Sequence, residues 1–465
     1  MTGALWSSAE AAAATGGVAS HPFAATGVSI DTRSLAAGDL FVALNDTRDG
    51  HDFVTDAFRM GAAAAMVSAD PPGLGSDRPL LRVGDTLDGL RGLGRAARER
   101  SAATVIGVTG SVGKTSTKEA LAAALGAQGQ THAASASYNN HIGVPLTLAR
   151  MPPASQFAVI EIGMNHPGEI APLAQLARPH VAVITTVEAV HIEFFADEEG
   201  IADEKAAIMA GLEPGGAVVL NRDNRHFERL AAAAHAYGVG RVLSFGTDER
   251  ADVRLRAWST EGWSTRAHIT LLGRELELVL ATPGVHAAQN ACAVLAAVFA
   301  AGASPEAALP ALAALVPPPG RGRRRPIVLA DGEALLLDDS YNASPPSVRA
   351  ALAVLADAPG VRRIAVLGDM RELGARGEEE HRGLAGPILA ARIDHVFCCG
   401  PLMRHLYDAL PAGLRGGYAP DSAALLPIVR LAVRPGDVVL VKGSLGSRMG
   451  PLADALAGES KGGKS

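Results

Sequence analysis

The stretch Gly107-Val-Thr-Gly-Ser-Val-Gly-Lys-Thr-Ser-Thr117 sets a lysine and a run of hydroxyls directly after a glycine-rich turn. Glycines at 110 and 113 let backbone amides swing toward a phosphate, Lys114 can reach terminal phosphates, and the Thr115 hydroxyl can hold Mg2+. Ser111 and Ser116 complete the set of candidate nucleotide contacts. The commoner pattern G-x-x-x-x-G-K-[ST] requires glycine at 108, where this chain has Val108; the residues fit instead a shorter T-G-x-x-G-K-[ST] spacing that begins at Thr109. The competing explanation is a plain strand-to-helix turn with a solvated lysine.

Other residues carry chemistry by type and position. Glu161 ends the apolar run AVIEIG, where ligands gather in open parallel sheets, and its carboxylate could bind Mg2+ beside Thr115. From position alone it could equally be an exposed strand-end acid. His191, in ITTVEAVHIEFF, is either a ligand or a structural histidine. Lys205 lies in the helical pattern GIADEKAAIM, where a lysine ordinarily points into solvent, and Asn290 in GVHAAQNACAVLAA reads most simply as a helix-start hydrogen bond. Asp338-Asp-Ser-Tyr-Asn342 ends a strand just before Ser344-Pro345, a cap followed by proline at the first helical position. Capping explains Ser344; it does not explain two acids beside Tyr341 and Asn342. The basic run 321–325 lacks interleaved aromatics, which favours a hinge loop with an arginine near phosphate over an RNA contact.

These side chains need a scaffold. Apolar runs alternate with helical stretches, which predicts an α/β protein of parallel sheets covered by helices. Strands are expected at 39–45, 62–68, 104–110, 157–163, 181–187, 217–220, 333–339, 363–368, 395–400 and 437–443. A helix is expected at 116–125 and another over 200–209. The chain of 465 residues suggests roughly three domains. The loop PPGLG at 71–75 and the breaker PPPG before Arg321 punctuate it, and the boundaries read as 1–101, 102–316 and 317–465, with hinges near 101 and 317. The tail 459–465 is expected to fray.

With 48% hydrophobic and 19% charged residues the chain is globular, and its net charge of −6 argues against general binding to nucleic acid or an acidic membrane. Three cysteines, two of them adjacent, offer no disulfide framework and no C-x-x-C metal pair, which fits a reducing compartment. The opening residues lack the basic and apolar regions of a signal peptide. The most apolar run, 291–303, is shorter than the ~20 residues a bilayer requires. A cytoplasmic protein without membrane insertion follows.

Taken together, the segments resemble the Mur ligases, in all three blocks. In the first block the resemblance rests on Ser29-Ile-Asp-Thr-Arg-Ser34, Asp39-LFVAL and Asp49-Gly-His-Asp-Phe53. The middle block adds TGSVGKTST, Tyr138-Asn-Asn-His-Ile-Gly-Val-Pro145 and Glu161-Ile-Gly-Met-Asn165. The last adds Asp339-Ser-Tyr-Asn-Ala343, Val366-LGDMRELG and Val441-Lys-Gly-Ser444. YNNHIGVP and DDSYNA are similar to the branch that joins D-alanyl-D-alanine to UDP-N-acetylmuramoyl-tripeptide, and the Asp-Asn-Pro-Arg word of the branch that adds the third amino acid is missing. The resemblance implies an N-terminal uridine-nucleotide-binding domain, a central ATPase-like domain and a C-terminal Rossmann-like domain, acting as a monomer.

Several residue roles follow only from that resemblance. Lys114 and Thr115 would bind ATP phosphates and Mg2+, Glu161 would help hold the metal, His191 would approach a second Mg2+, and Lys205 would be carbamylated by CO2. Asn290 would meet adenine, Arg321 the phosphates and Asp339 the ribose. Asp31, Thr32, Arg33, Ser34, His51, Asn139, Asn140, Asn342 and Lys442 would contact substrate. Departures from the family pattern are Ala207, Ala196-Asp197, Ala287 and Asn45-Asp46. Two rivals stand beside this reading: a folylpolyglutamate-type ligase, or a nucleotide-operated switch that needs no peptide acceptor.

Overall fold

The computed structural model describes residues 3–458, so the expected fraying of 459–465 lies outside the described residues. Three main sheets follow one another along the chain. The first has five strands in the order Val18–Ala19, Leu80–Arg82, Ala64–Val67, Asp39–Val42, Gly27–Ser29, parallel except for the first. The runs DLFV and AAMV are buried at every position, as strands covered on both faces must be.

The central sheet has nine strands. Thr104–Thr109 pairs in parallel with Phe157–Glu161 on one side and Val181–Ile184 on the other, and Ala217–Asn221 and Arg241–Gly246 continue outward. An antiparallel extension then follows through Val253–Glu261, Ser264–Leu271 and Arg274–Leu280. Sequence reading passed over this extension and Arg241–Gly246. In Ser264–Leu271 buried residues alternate with exposed Arg266 and His268, a period-2 pattern with one wet face that a search for continuous apolar runs does not register.

Helices cover both faces. Lys114–Gly126 and Val285–Ala300 pack on one side through Leu121, Leu125, Val294 and Leu295 against Ile106 and Val108. The apolar run read at 291–303 is the body of this longer helix. Among the described residues no helix is long and apolar enough to cross a membrane.

The third sheet has six strands: Arg323–Leu329, Gly332–Asp339, Val438–Lys442, Arg363–Gly368, His395–Cys399 and Arg415–Ala419. All pairings are parallel except that of the first strand. The basic run expected as a loop is therefore half strand: Arg323 pairs with Asp338 and Arg325 with Leu336. Arginine side chains on an edge strand can project into solvent or pair with acids, so the sheet accepts them.

The first two blocks share a core. Trp6, Leu90 and Leu93 pack with Leu146 and Ala149 of the middle block, and the Trp6 indole N–H donates to the Ala149 carbonyl at 2.9 Å. Gly94 permits the helix Thr86–Glu99 to press on Gly143–Ala149; a Cβ there would lie 3.0 Å from the Pro145 carbonyl oxygen. The Arg98 guanidinium donates to the carbonyls of Ala177 and Arg178, both at 2.9 Å. This packing speaks against the expected hinge near 101.

Candidate active site

The parallel strands of the central and third sheets end toward a common cavity of about 920 Å³. Its floor is the glycine loop. Gly110 has φ +145°, and a Cβ there would fall 1.9 Å from Thr185 Oγ1, so only glycine fits. Gly113, at φ +86°, precedes the helix Lys114–Gly126, whose first amides lack intrahelical partners and can meet an anion. Lys114 folds back over the loop and donates from Nζ to the Gly110 carbonyl at 2.6 Å. Burial pulls its ammonium below the usual lysine range; Glu161 opposes that shift and Arg321 adds to it.

Thr115 Oγ1 donates to Glu161 Oε1 at 3.1 Å, and Asn139 Nδ2 donates to the same oxygen at 2.8 Å. Glu161 Oε2 is buried and has no hydrogen-bond partner. Burying an uncompensated carboxylate oxygen is costly, and a divalent cation beside the Thr115 hydroxyl would remove the cost. Among the described residues no group of three His, Cys, Asp or Glu forms a metal cage by itself. A hydroxyl and one carboxylate fit Mg2+, which takes its remaining ligands from water and phosphate.

Opposite stands the third block. Arg321 donates from Nη2 to Ser137 Oγ at 3.3 Å and stacks 4.2 Å above the Tyr341 ring, so it faces the loop. Arg325 turns the other way to Asp338 and Asp454, and Arg324 lies over the Trp263 ring at 5.4 Å. Buried Lys442 donates to Asp339 Oδ2 at 2.6 Å and to the Asn342 carbonyl at 2.9 Å, fixing the segment DDSYN.

His191 sits at φ +62° with its Nδ1 against the carboxylate of Glu372. That histidine holds the Glu372 carboxyl below the usual carboxylate range.

Lys205 corrects the solvated-lysine expectation. It is 2% exposed on the helix Glu198–Ala206. Burial draws its amine well below the ordinary lysine value, Lys114 adds to the effect and Glu204 opposes it.

Of the residues singled out in the sequence, Ser111, Gly113, Lys114, Thr115, Ser116, Asn139, Asn140, Glu161, His191, Asn290, Arg321, Asp339, Asn342 and Lys442 line the cavity. Gly110 and Lys205 are not among its lining residues. Asp31, Thr32, Arg33, Ser34 and His51 are in the first block and do not line it. Asp31 caps the turn Thr32–Ser34 and pairs with Arg33 at 2.6 Å. Both ring nitrogens of buried His51 are engaged, Nδ1 by Asp49 at 2.6 Å and Nε2 by the Ser68 amide at 3.0 Å, so this side chain holds a loop. Sequence reading missed Ser137, Glu188, Trp263, His286 and Glu372, all in the cavity wall; Arg324, also there, belongs to the basic run already singled out. Ser137 adjoins the motif that starts at Tyr138 and Glu372 lies inside Val366-LGDMRELG, so both were findable; Trp263 depends on the unread hairpin.

A phosphate loop on one parallel sheet facing strand ends of another defines a multidomain nucleotide-using α/β enzyme. Residues 108–298 match the Mur ligase middle domain and 322–445 match the Mur ligase glutamate ligase domain. The chain belongs to the Mur ligase family. It is 38% identical to the UDP-N-acetylmuramoyl-tripeptide--D-alanyl-D-alanine ligase of Escherichia coli, with 92% of this chain and 93% of that one covered. Crystal structure I of MurF from Acinetobacter baumannii superposes with a TM-score of 0.84 at 29% identity, covering 97% of this chain and 99% of that one. The MurF ligase of Thermotoga maritima in complex with ADP gives 0.77 at 29% identity, with coverage of 93% and 97%.

Proposed function

We propose that this enzyme joins D-alanyl-D-alanine to UDP-N-acetylmuramoyl-tripeptide at the expense of ATP, a step of peptidoglycan precursor synthesis. One observation carries the reaction class: the loop holding Lys114 and Thr115, the half-satisfied Glu161 and the Arg321 guanidinium converge on one cavity. The substrates are those in the names of relatives that match almost end to end. The domains that serve them are 1–101 for the uridine nucleotide, 102–316 for ATP and 317–465 for the acceptor.

A carboxylate is a poor acylating agent. The terminal carboxylate of the tripeptide therefore attacks the γ-phosphorus, ADP departs, and an acyl phosphate results. The amine of D-alanyl-D-alanine then adds to that carbonyl, phosphate leaves with the electron pair of the broken C–O bond, and the nitrogen gives up a proton. Bringing carboxylate onto ATP sets negative charge against negative charge, and Lys114 and Arg321 counter it from two sides. Mg2+ at Thr115 and Glu161, with a second ion near His191, would supply further charge neutralisation. Asn290 meets adenine and Asp339 the ribose, while Asn139, Asn140, Asn342 and Lys442 orient substrate, and Asp31, Thr32, Arg33, Ser34 and His51 serve the uridine end.

Carbamylation of Lys205 fits its surroundings. A neutral amine adds CO2 through its lone pair and loses a proton, and burial, which draws the Lys205 amine well below the ordinary lysine value, favours the form whose lone pair is free. The product is a carboxylate able to face a cation. The enzyme works as a cytoplasmic monomer on soluble precursors.

The test is ADP release measured with UDP-N-acetylmuramoyl-tripeptide, with D-alanyl-D-alanine, with both and with neither. Turnover should require both together. Release without the dipeptide would indicate a nucleotide switch, and release with a folate substrate would favour the folylpolyglutamate-type reaction.

A further inference from the structure

Loops from two different sheets meet at His191 and Glu372. His191 follows the central strand Val181–Ile184, and Glu372 follows Arg363–Gly368 of the third sheet. Both adopt the left-handed backbone, at φ +62° and +63°. Non-glycine residues hold that conformation only where their surroundings demand it. Around the side-chain contact the backbones also touch: the Glu193 amide donates to the Glu372 carbonyl at 3.5 Å, and a Cβ on Gly374 would lie 3.4 Å from Glu193.

Each loop is anchored in its own block. On the third, the Met370 amide donates to His381 Nε2 and the Arg371 amide to Ser444 Oγ, both at 2.9 Å, while Asp369 accepts from the Met403 amide at 2.8 Å. The Glu372 carboxylate is thus carried rigidly by the third sheet. On the central block, Ser111 of the phosphate loop exchanges two bonds with Glu188, accepting from its amide at 2.9 Å and donating to its carbonyl at 3.0 Å. His191 lies three residues further on. A continuous path therefore runs from the phosphate loop through Glu188 and His191 to Glu372.

We infer that Glu372 is a positioning residue that orients His191 only when the third block is docked. Resting on the reading that His191 approaches a cation, this makes the second ion conditional on docking. A carboxylate on one ring nitrogen fixes the imidazole and leaves the other nitrogen for a cation; here the two partners come from blocks joined near residue 317. Undocking removes the carboxylate and frees the ring to turn.

The test uses the full chain with Glu372→Gln, Glu372→Asp and His191→Ala. Mn2+ bound in the presence of ADP is counted from the loss of the free-ion electron paramagnetic resonance signal, and ADP release is titrated against Mg2+. The expected outcome is one Mn2+ fewer, or a second Mn2+ held about tenfold more weakly, in both Glu372→Gln and His191→Ala. The Mg2+ needed for half-maximal rate should rise about tenfold in Glu372→Gln while KM for ATP stays within about twofold, and Glu372→Asp should recover part of the loss. If His191→Ala loses the second ion and folded Glu372→Gln keeps it, Glu372 has no positioning role and the reading of His191 stands. If neither variant changes Mn2+ stoichiometry, the reading of His191 fails and the inference with it. A Glu372→Gln that melts early is replaced in the comparison by Glu372→Asp, and wild-type Mn2+ and Mg2+ behaviour there overturns the inference.

Discussion

Replacing Lys205 with methionine should stabilise the protein and abolish its activity. The residue is 2% exposed, and among the described residues no hydrogen bond or ion pair is formed by its amine. Burying a neutral polar group without a partner costs about 1–3 kcal/mol, which a thioether of similar length does not incur. At about 2–4 °C per kcal/mol for a unit of this size, the melting temperature of Lys205→Met in CO2-stripped buffer should rise by about 2–12 °C. The pH dependence has a definite sign. With the folded amine well below its ordinary value, the unfolded chain binds the proton more readily, so the wild type gains on the variant as pH climbs toward the unfolded value of about 10.4. Bicarbonate with Mg2+ and ADP should raise the melting temperature of the wild type and leave Lys205→Met unmoved. Differential scanning fluorimetry with and without bicarbonate, alongside ADP release, checks each part. A variant that melts below the wild type in CO2-stripped buffer refutes the unpaired-amine argument, and one that keeps turning over refutes the role assigned to the lysine.

Three further outcomes follow from local geometry. Gly110→Ala would drive a methyl onto Thr185 Oγ1, which is itself tied to the Val112 carbonyl at 2.6 Å; isothermal titration with ADP and Mg2+ should show binding lost, and wild-type affinity would contradict the close approach. Arg362→Ala strips the two bonds, at 2.8 and 2.6 Å, from an Asp437 side chain that is 1% exposed, and should cost about 3 kcal/mol in urea denaturation; a loss under about 1 kcal/mol would place the pair among exposed bridges of little worth. Cys292, Cys398 and Cys399 are buried, and burial pushes the Cys399 thiol up to about 12. At pH 8 its thiolate share is about one in ten thousand, so Ellman's reagent should label no cysteine in the native protein and all three after denaturation.

The central and third sheets were legible where strands are apolar throughout, because burial on both faces writes itself as runs such as VIGVT and VVLVK. Strands buried on one face were not: in Ser264–Leu271 and Arg323–Leu329 the polar half hides the pattern. The site followed the same division. Side chains on strand-end motifs, such as Lys114 and Glu161, could be named from sequence because their loops are short and local, whereas Lys442 entered only through the resemblance. Lys205 could not be placed, since its helix has acidic neighbours and its burial comes from other elements folding over it. Glu372 was out of reach as a partner of His191 because their contact joins residues 181 positions apart, and spacing along the chain carries no record of it.

Which joint can move is decided by energetics. Separating the first block from the second would uncover Trp6, Leu90, Leu93 and Leu146, all within 1% of full burial. At about 1.5–3 kcal/mol for each large side chain this is about 6–12 kcal/mol, comparable to the whole stability of a domain. The third block meets the second largely through polar contacts, His191 with Glu372 and Glu198 with Arg376, and through the partly buried Trp263. Pairs open to solvent on one side contribute about 0–1 kcal/mol each, and one partly buried indole adds less than a core does. Domain motion should therefore carry the acceptor block toward a unit that already holds both the uridine end and the phosphate loop. Small-angle scattering with and without ADP and Mg2+ tests this: the distance between the third block and the rest should change, while labels on the first and second blocks keep a fixed separation. A change within the first pair instead would mean that their shared core opens, against its energetic cost.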